Sequence, residues 1–214
     1  IWFFLHPLFT TLVYLVIFGR IAKIPTDGIP PILFYLSGVT LWNFFMINVT
    51  SISNTFLSNA GIFGKVYFPR MVSPIAMVAS NFMKTGVQFL MFLSFFVFYL
   101  FKGGIQPNFW AFLTPVIFFL IAVFAMGIGL IFSSMTTKYR DLAKLLGFGL
   151  SLFMYITPVI YPVSVLPERF RFLSVYNPLS PLFEAFKYGW FGSGSFSGFS
   201  MIMSAVSIFC IFII

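Results

Sequence analysis

Charged side chains are scarce in this chain of 214 residues. Lysine, arginine, aspartate and glutamate make up 7% of it, whereas hydrophobic residues make up 60%. A soluble domain carries about 25% charged residues, because its surface must face water. The 12 basic and 4 acidic side chains are too few to cover a globule of this size. The sequence therefore predicts an integral membrane protein, with lipid as the solvent for most of its surface.

Cysteine and histidine are almost absent. Cys210 and His6 are the only residues of their kinds, which excludes an intramolecular disulfide, a cysteine-based metal site and a histidine cluster. The chain has four carboxylates, none paired with another by its spacing: Asp27, Asp141, Glu168 and Glu184. No catalytic triad can be drawn around the single histidine. We therefore expect no catalytic residue, no metal ligand and no enzyme activity in this chain.

Basic residues are not collected into a run either. The net charge of +8 is spread over the loops, which argues against nucleic-acid binding and favours contact with anionic lipid head groups. The segment 61–65 has only two residues between its glycines, and Val66 follows its lysine, so it does not meet the spacing of a phosphate-binding loop. We expect no cofactor in this chain; if it takes part in ATP-driven transport, a separate subunit must hold the ATP and magnesium.

Long apolar runs are what the sequence does contain. About 20 apolar residues cross the hydrocarbon core as a helix. The runs are continuous rather than alternating, which favours helices over a β-barrel. We expect about six transmembrane helices in one all-α domain over residues 1–214, with further residues missing at both ends because the chain begins at an isoleucine and ends inside an apolar run. The predicted spans are 1–18, 32–54, 72–101, 109–133, 142–162 and 199–214.

The connecting segments divide between two sides of the membrane. Lysine and arginine are denser in segments 55–71 and 134–144, with five in 28 residues, than in 19–31, 102–108 and 163–198, with six in 56. Cytoplasmic loops carry the excess of positive charge, so we expect the first pair to be cytoplasmic.

The segment 163–198 is too patterned to be a simple loop. It should contain two short helices, about 167–176 and 181–191, that are too short to span and should be re-entrant or lie in the outer interface. Prolines and one asparagine mark where these helices begin and end: Pro167, Asn177, Pro178 and Pro181.

One lysine falls inside a predicted span. Lys84 lies on a polar stripe with Asn81, Thr85 and Gln88 at helical spacing. The stripe fits a charge inside a pore, or a lysine at the inner interface whose ammonium reaches the head groups. We favour the interface, because burial at the bilayer centre costs about 2.5–3.5 kcal/mol.

Polar and aromatic residues occur together in several spans. Hydrogen bonds between helices and a channel wall explain the polar residues of the second span equally well. Lipid contact explains most aromatic residues, but aromatic faces also pack on sugar C–H groups and could hold a sliding glycan weakly. The candidate lining residues are Tyr14, Trp42, Asn43, Tyr155 and Tyr161.

Four short motifs, taken in order and spacing, resemble the permease subunits of type-two ABC exporters. The similarity is greatest to the branch that exports O-antigen, teichoic acid and capsule polymers. The start of the chain, where Ile1-Trp2 is followed by Pro7, is also similar to the first span of that branch. The motifs are KVYFPR at 65–70, YRD at 139–141, TPVIYP at 157–162 and YNPL at 176–179.

The resemblance implies a homodimer in the bacterial cytoplasmic membrane, joined by two ATP-binding cassette subunits and acting on a lipid-linked glycan. It makes 163–198 an external gate and 55–71 the segment that contacts the ATPase. The contact residues would be Lys65, Tyr67, Pro69 and Arg70.

We therefore expect the transmembrane subunit of an ATP-driven exporter of lipid-linked, O-antigen-like polysaccharide. One alternative is a permease of the same superfamily that exports a small drug or lipid. Another is a membrane scaffold without transport. Aromatic and polar residues facing a channel would favour polysaccharide export, and a purely aliphatic seam would favour export of a small drug or lipid. A sealed dimer without ATPase contact would favour the scaffold.

Overall fold

The fold is built from helices, as a computed structural model of the chain shows. The structure describes residues 2–58, 61, 69, 71–103, 105–139, 141–194 and 196–213. Every regular element in these ranges is helical, which confirms the predicted all-α class. The main helices are α1 (Trp2–Tyr14), α2 (Pro31–Ser53), α3 (Thr55–Ser58), α4 (Val72–Phe101), α5 (Thr114–Lys138), α6 (Leu142–Ile156), α7 (Glu168–Tyr176), α8 (Ser180–Phe191) and α9 (Gly198–Ile213).

Four helical segments within the described residues are long and apolar enough to cross a membrane. The first continues from α1 through a π-helical stretch, Leu15–Ile21, and the fourth begins with the 3-10 turn Phe109–Leu113 that leads into α5. They agree with the first four predicted spans: Phe4–Ile21, Pro31–Ser53, Val72–Phe101 and Phe109–Thr136.

The predicted fifth span, 142–162, is too long. Helix α6 has 15 residues and ends at Ile156, which is about 22 Å of helix against a hydrocarbon core of about 30 Å. Thr157 leaves the helix with ψ near 140°, because the ring of Pro158 disfavours the helical conformation of the residue before it. Helix α9 is also short, with 16 residues, so the total of six spans stays a prediction.

Helices α2 and α5 form the centre of the bundle. In their spanning windows 78% and 67% of the residues are buried, against 11% for the first span and 28% for α4. Glycine permits the close approach of α5 to α2, because a Cβ on Gly129 would lie 2.7 Å from the Cβ of Ile52. A Cβ on Gly127 would lie 3.1 Å from the Cα of Phe212 in α9. Both glycines are therefore sites of close helix contact.

An aromatic cluster fastens α8 to α4. Trp190 packs edge-on against Phe92 and Phe96, with ring centroids 5.4 and 4.9 Å apart, and Phe186 lies 5.5 Å from Phe92. The indole nitrogen of Trp190 donates a 2.9 Å hydrogen bond to Thr114 at the start of α5. This cluster seats the short helix on two spanning helices.

Candidate functional site

The two predicted short helices of segment 163–198 are present, and their junction is fixed to other elements. Asn177 is buried between α7 and α8. Its side-chain nitrogen donates to Thr157 Oγ1 at 2.9 Å, and its side-chain oxygen accepts from the amide of Leu179 at 3.0 Å. The carbonyl of Pro178 accepts a hydrogen bond from the hydroxyl of Ser204 in α9. The junction is therefore tied to the end of α6 and to α9.

The other two predicted gate residues lie where the helices begin. Pro167 directly precedes α7 and is exposed, and Pro181 occupies the first turn of α8. These positions suit proline, which lacks the amide hydrogen that the first turn leaves unpaired. A gating role for these residues remains a prediction.

Lys187 in α8 is a buried cation, although its sequence position alone did not distinguish it from the other loop charges. Lys187 is 2% exposed. The ammonium donates to the carbonyl oxygen of Pro158 at 2.7 Å, lies 3.8 Å from a carboxylate oxygen of Glu184 and sits 4.0 Å from the ring centroid of Phe34. These contacts replace water around the charge.

The environment of Lys187 changes its acidity. Burial lowers the pKa of the ammonium to about 8, and the negative charges of Glu184 and Asp27 oppose that shift. The group therefore remains mostly protonated at neutral pH, which keeps its bond to Pro158. The spacing of Glu184 and Lys187, three positions apart on one helix, was the only sequence signal of the pair.

Asp27 and Asp141 have different partners. Asp27 accepts hydrogen bonds from Ser164 at 2.9 and 3.0 Å, while Asp141 lies 3.9 Å from the ammonium of Lys144. Within the described ranges, no group of three or more His, Cys, Asp or Glu side chains could hold a metal ion.

The predicted aromatic lining residues converge on the end of α6, from three parts of the chain. The hydroxyl of Tyr14 contacts the sulfur of Met154 at 3.6 Å, and the hydroxyl of Tyr161 donates to the carbonyl of Tyr155 at 2.7 Å. The ring of Trp42 lies 6.1 Å from that of Phe153. Residues 153–155 thus touch the aromatics of α1, α2 and the turn after α6.

These residues differ in their access to the outside of the chain. Tyr155 is 60% exposed, whereas Trp42 is 3% exposed and packs in the core. The side-chain nitrogen of Asn43 is buried and has no hydrogen-bond partner among the described residues. Tyr155 is therefore accessible to a ligand in this chain, whereas Trp42 is not.

A second polar group joins α2 to α4 near the other end of the bundle. The side-chain nitrogen of Asn81 donates to Asn48 Oδ1 at 3.1 Å and to Ser51 Oγ at 3.4 Å. The ammonium of Lys84 donates to Asn81 Oδ1 at 3.0 Å. Hydrogen bonding between helices therefore explains the polar residues Asn48 and Ser51. The sequence alone did not distinguish this interpretation from a channel wall.

The predicted ATPase contact is mostly beyond the described ranges. Lys65, Tyr67 and Arg70 lie outside the described residues. Pro69 is described and exposed, and its carbonyl accepts a 3.1 Å hydrogen bond from the amide of Val72 at the start of α4. This predicted contact residue therefore lies three positions before the first residue of a spanning helix.

Comparison with known proteins places this chain among transporters. Residues 1–191 match the family described as ABC-2 type transporter. Two O-antigen export system permease proteins RfbA from Klebsiella pneumoniae are each 31% identical over 183 residues, which cover 85% of this chain and 68% of the relative. An O-antigen export system permease protein RfbA from Myxococcus xanthus is 24% identical over 189 residues, 87% of this chain and 70% of the relative.

Proposed function

Because the chain belongs to the ABC-2 type transporter family of multi-pass membrane permeases, we propose that it exports a lipid-linked polysaccharide across the bacterial cytoplasmic membrane. The observation that carries the proposal is the likeness to permeases named for O-antigen export, which extends over 85% of the chain. The family match over residues 1–191 includes the aromatic group around α6 and the fixed junction between α7 and α8.

The aromatic group suits a polymer that must slide. Tyr14, Tyr155 and Tyr161 present rings whose faces can pack on sugar C–H groups without requiring one pattern of hydroxyls. Directed hydrogen bonds would hold one sugar too specifically, since an unmet buried donor or acceptor costs about 1–3 kcal/mol. Weak, repeated contacts therefore favour passage over tight binding.

The complete transporter would contain a second copy of this chain and two ATP-binding subunits. Those subunits would hold ATP and magnesium, and hydrolysis on them would supply the energy. Segment 55–71 would transmit their movement, because it precedes α4 directly and carries the basic residues of the predicted contact. The spans would then shift and admit the lipid-linked glycan between the two copies.

The α7–α8 unit would close the outer end of that path. Asn177 joins it to Thr157, and Lys187 joins it to Pro158. A displacement of α6 would therefore pull on α8 through both contacts. The same bonds that hold the unit in place would make it respond to movement of the spans.

The test is deletion of the full-length gene in its native bacterium. Polymer should disappear from the cell surface and accumulate as the lipid-linked form on the cytoplasmic side, and reintroduction of the gene should restore it. A strain with an inactive ATP-binding subunit is the matched control and should behave in the same way. Normal surface polymer in the deletion strain, with loss of efflux of a small drug or lipid, would show the alternative to be right.

A further inference from the structure

A polar pocket opens between α2, α3 and α4. Its volume is about 380 Å³, and one methionine contributes to its wall. Six polar residues line the rest: Ser51, Asn54, Ser58, Ser80, Asn81 and Lys84. Such a lining is unusual for the surface of a spanning helix, because polar groups facing lipid tails lose their hydrogen bonds with water.

The chemistry of the lining selects an anion. It supplies the ammonium of Lys84, the hydroxyls of Ser51 and Ser80, and the second amide hydrogen of Asn54. The amide of Asn81 and the hydroxyl of Ser58 already donate within the protein. The residues that line the pocket include no carboxylate, and the chain has only four, at positions 27, 141, 168 and 184. A phosphate group, with several acceptor oxygens and a negative charge, matches this set of donors.

The cation is held by buried partners. Lys84 donates to the side-chain oxygen of Asn81, whose nitrogen donates to Asn48. Asn48 in turn donates to the carbonyl of Phe44 at 2.7 Å, and both asparagines are at least 98% buried. The chain of bonds fixes the ammonium at the pocket wall, so little side-chain freedom remains to be lost when an anion binds.

The position of the pocket along α4 corresponds to the depth of lipid head groups. Lys102 directly follows α4 and Lys84 lies 18 residues before it, which is about 27 Å of helix. The hydrocarbon core is about 30 Å thick. With Lys102 at one boundary, Lys84 lies close to the other, on the side of segment 55–71.

We propose that this pocket binds the phosphate group of a membrane lipid. Two kinds of lipid would supply that chemistry: an ordinary anionic phospholipid, or a carrier lipid joined to the exported glycan through phosphate. The first needs nothing from the proposed function, and the second rests on it. An assay of lipid binding does not depend on export, so failure of the lipid-phosphate site can be distinguished from failure of the proposed export function.

The test uses the full-length permease in a non-ionic detergent, with binding measured by native mass spectrometry. The probes are phosphatidic acid, a long-chain alkyl diphosphate, a neutral diacylglycerol and inorganic phosphate. Wild-type protein should bind both phosphorylated lipids at least tenfold more tightly than diacylglycerol. Preference for the diphosphate would assign the pocket to the transported lipid, and equal affinity would assign it to phospholipid in general; either result supports a lipid-phosphate site.

Variants locate the binding in the pocket. Lys84→Gln should weaken binding of both phosphorylated lipids at least tenfold, while Lys84→Arg should retain it. Lys102→Gln removes a lysine from the other end of the same helix and should change nothing. Unaltered lipid binding by Lys84→Gln, with an unchanged melting temperature, would overturn the proposal. Competition by inorganic phosphate at the same concentration as lipid would also overturn it, because the site would then recognise a free anion.

Discussion

Lys187 and Pro158, 29 positions apart, are joined by a 2.7 Å hydrogen bond from the lysine ammonium to the proline carbonyl. The bond connects α8 to the turn that ends α6. A buried ammonium beside a carboxylate is stable only while both charges are present, since removal of one leaves the other without compensation. The pair therefore gives a direct test of how α8 is held.

Replacement of Lys187 by methionine should lower the free energy of unfolding by about 3–5 kcal/mol. The reason is that the buried carboxylate of Glu184 would lose the ammonium that lies 3.8 Å from it. Unfolding of the purified protein in mixed micelles measures the change. The matched control is Lys144→Met, because Lys144 and Asp141 have the same spacing but side chains that are 89% and 93% exposed; it should change little. Equal effects at both sites would contradict the assigned role of Lys187.

Gly129→Ala should destabilise the contact between α2 and α5. The added Cβ would lie 2.7 Å from Ile52, and overpacking of a tight core costs about 1–3 kcal/mol. Gly86→Ala on α4 is the control, because nothing lies within 4 Å of its added Cβ. The control should be neutral or more stable by up to about 1 kcal/mol, since alanine favours a helix. The melting temperatures of the two variants in the same detergent should differ in this direction.

Cysteine labelling should place segments 55–71 and 163–198 on opposite sides of the membrane. Cys210 is exposed, so it is first replaced by serine. Ser58→Cys and Val175→Cys are suitable probes because both positions are exposed. A membrane-impermeant maleimide added to intact cells should label position 175 and not 58. Labelling of both from outside would refute the predicted topology.

Charge reversal in the predicted coupling segment should weaken association with the ATP-binding subunit. Lys65→Glu and Arg70→Glu change charges in a connecting segment and not in an apolar run, so we expect the spans to fold. Co-purification of the two subunits gives the readout. Lys102→Glu, on the predicted opposite side, is the control and should leave the subunit ratio unchanged. A normal ratio in the double variant would show that the segment is not the contact.

Leucine in place of Tyr14, Tyr155 and Tyr161 should lower polysaccharide export at least tenfold, with smaller effects for each single change. Leucine keeps an apolar side chain but removes the flat ring that packs on sugars. The rate of appearance of polymer at the cell surface measures the effect, at matched protein levels. A triple variant that exports at the normal rate would mean that the rings only pack.

Trp42 requires separate treatment in that experiment. Its burial predicts that Trp42→Ala costs about 3–5 kcal/mol of stability. Loss of export in this variant would therefore not distinguish glycan contact from unfolding. Replacement of the exposed Tyr155 does distinguish them, because it removes little buried packing.

The sequence located polar residues better than it located their partners. The stripe of Asn81, Lys84 and neighbouring polar residues was visible from helical spacing alone. The hydrogen bond between Asn81 and Asn48, 33 positions apart, could not be predicted in this way. Spacing defines a face of a helix but not the helix that covers that face. For the same reason the sequence proposed Trp42 as a lining residue, and only packing showed it to be buried.

The sequence by itself determined the membrane environment, the helical class and the first four spans. These follow from properties of local stretches: few charges, long apolar runs and the need to satisfy the backbone in lipid. Only the tertiary structure decided that α2 and α5 are central, that α6 stops at Ile156 and that Lys187 holds Pro158. These features depend on which distant surfaces fit together, because the partners of a buried charge or of a glycine contact come from other helices.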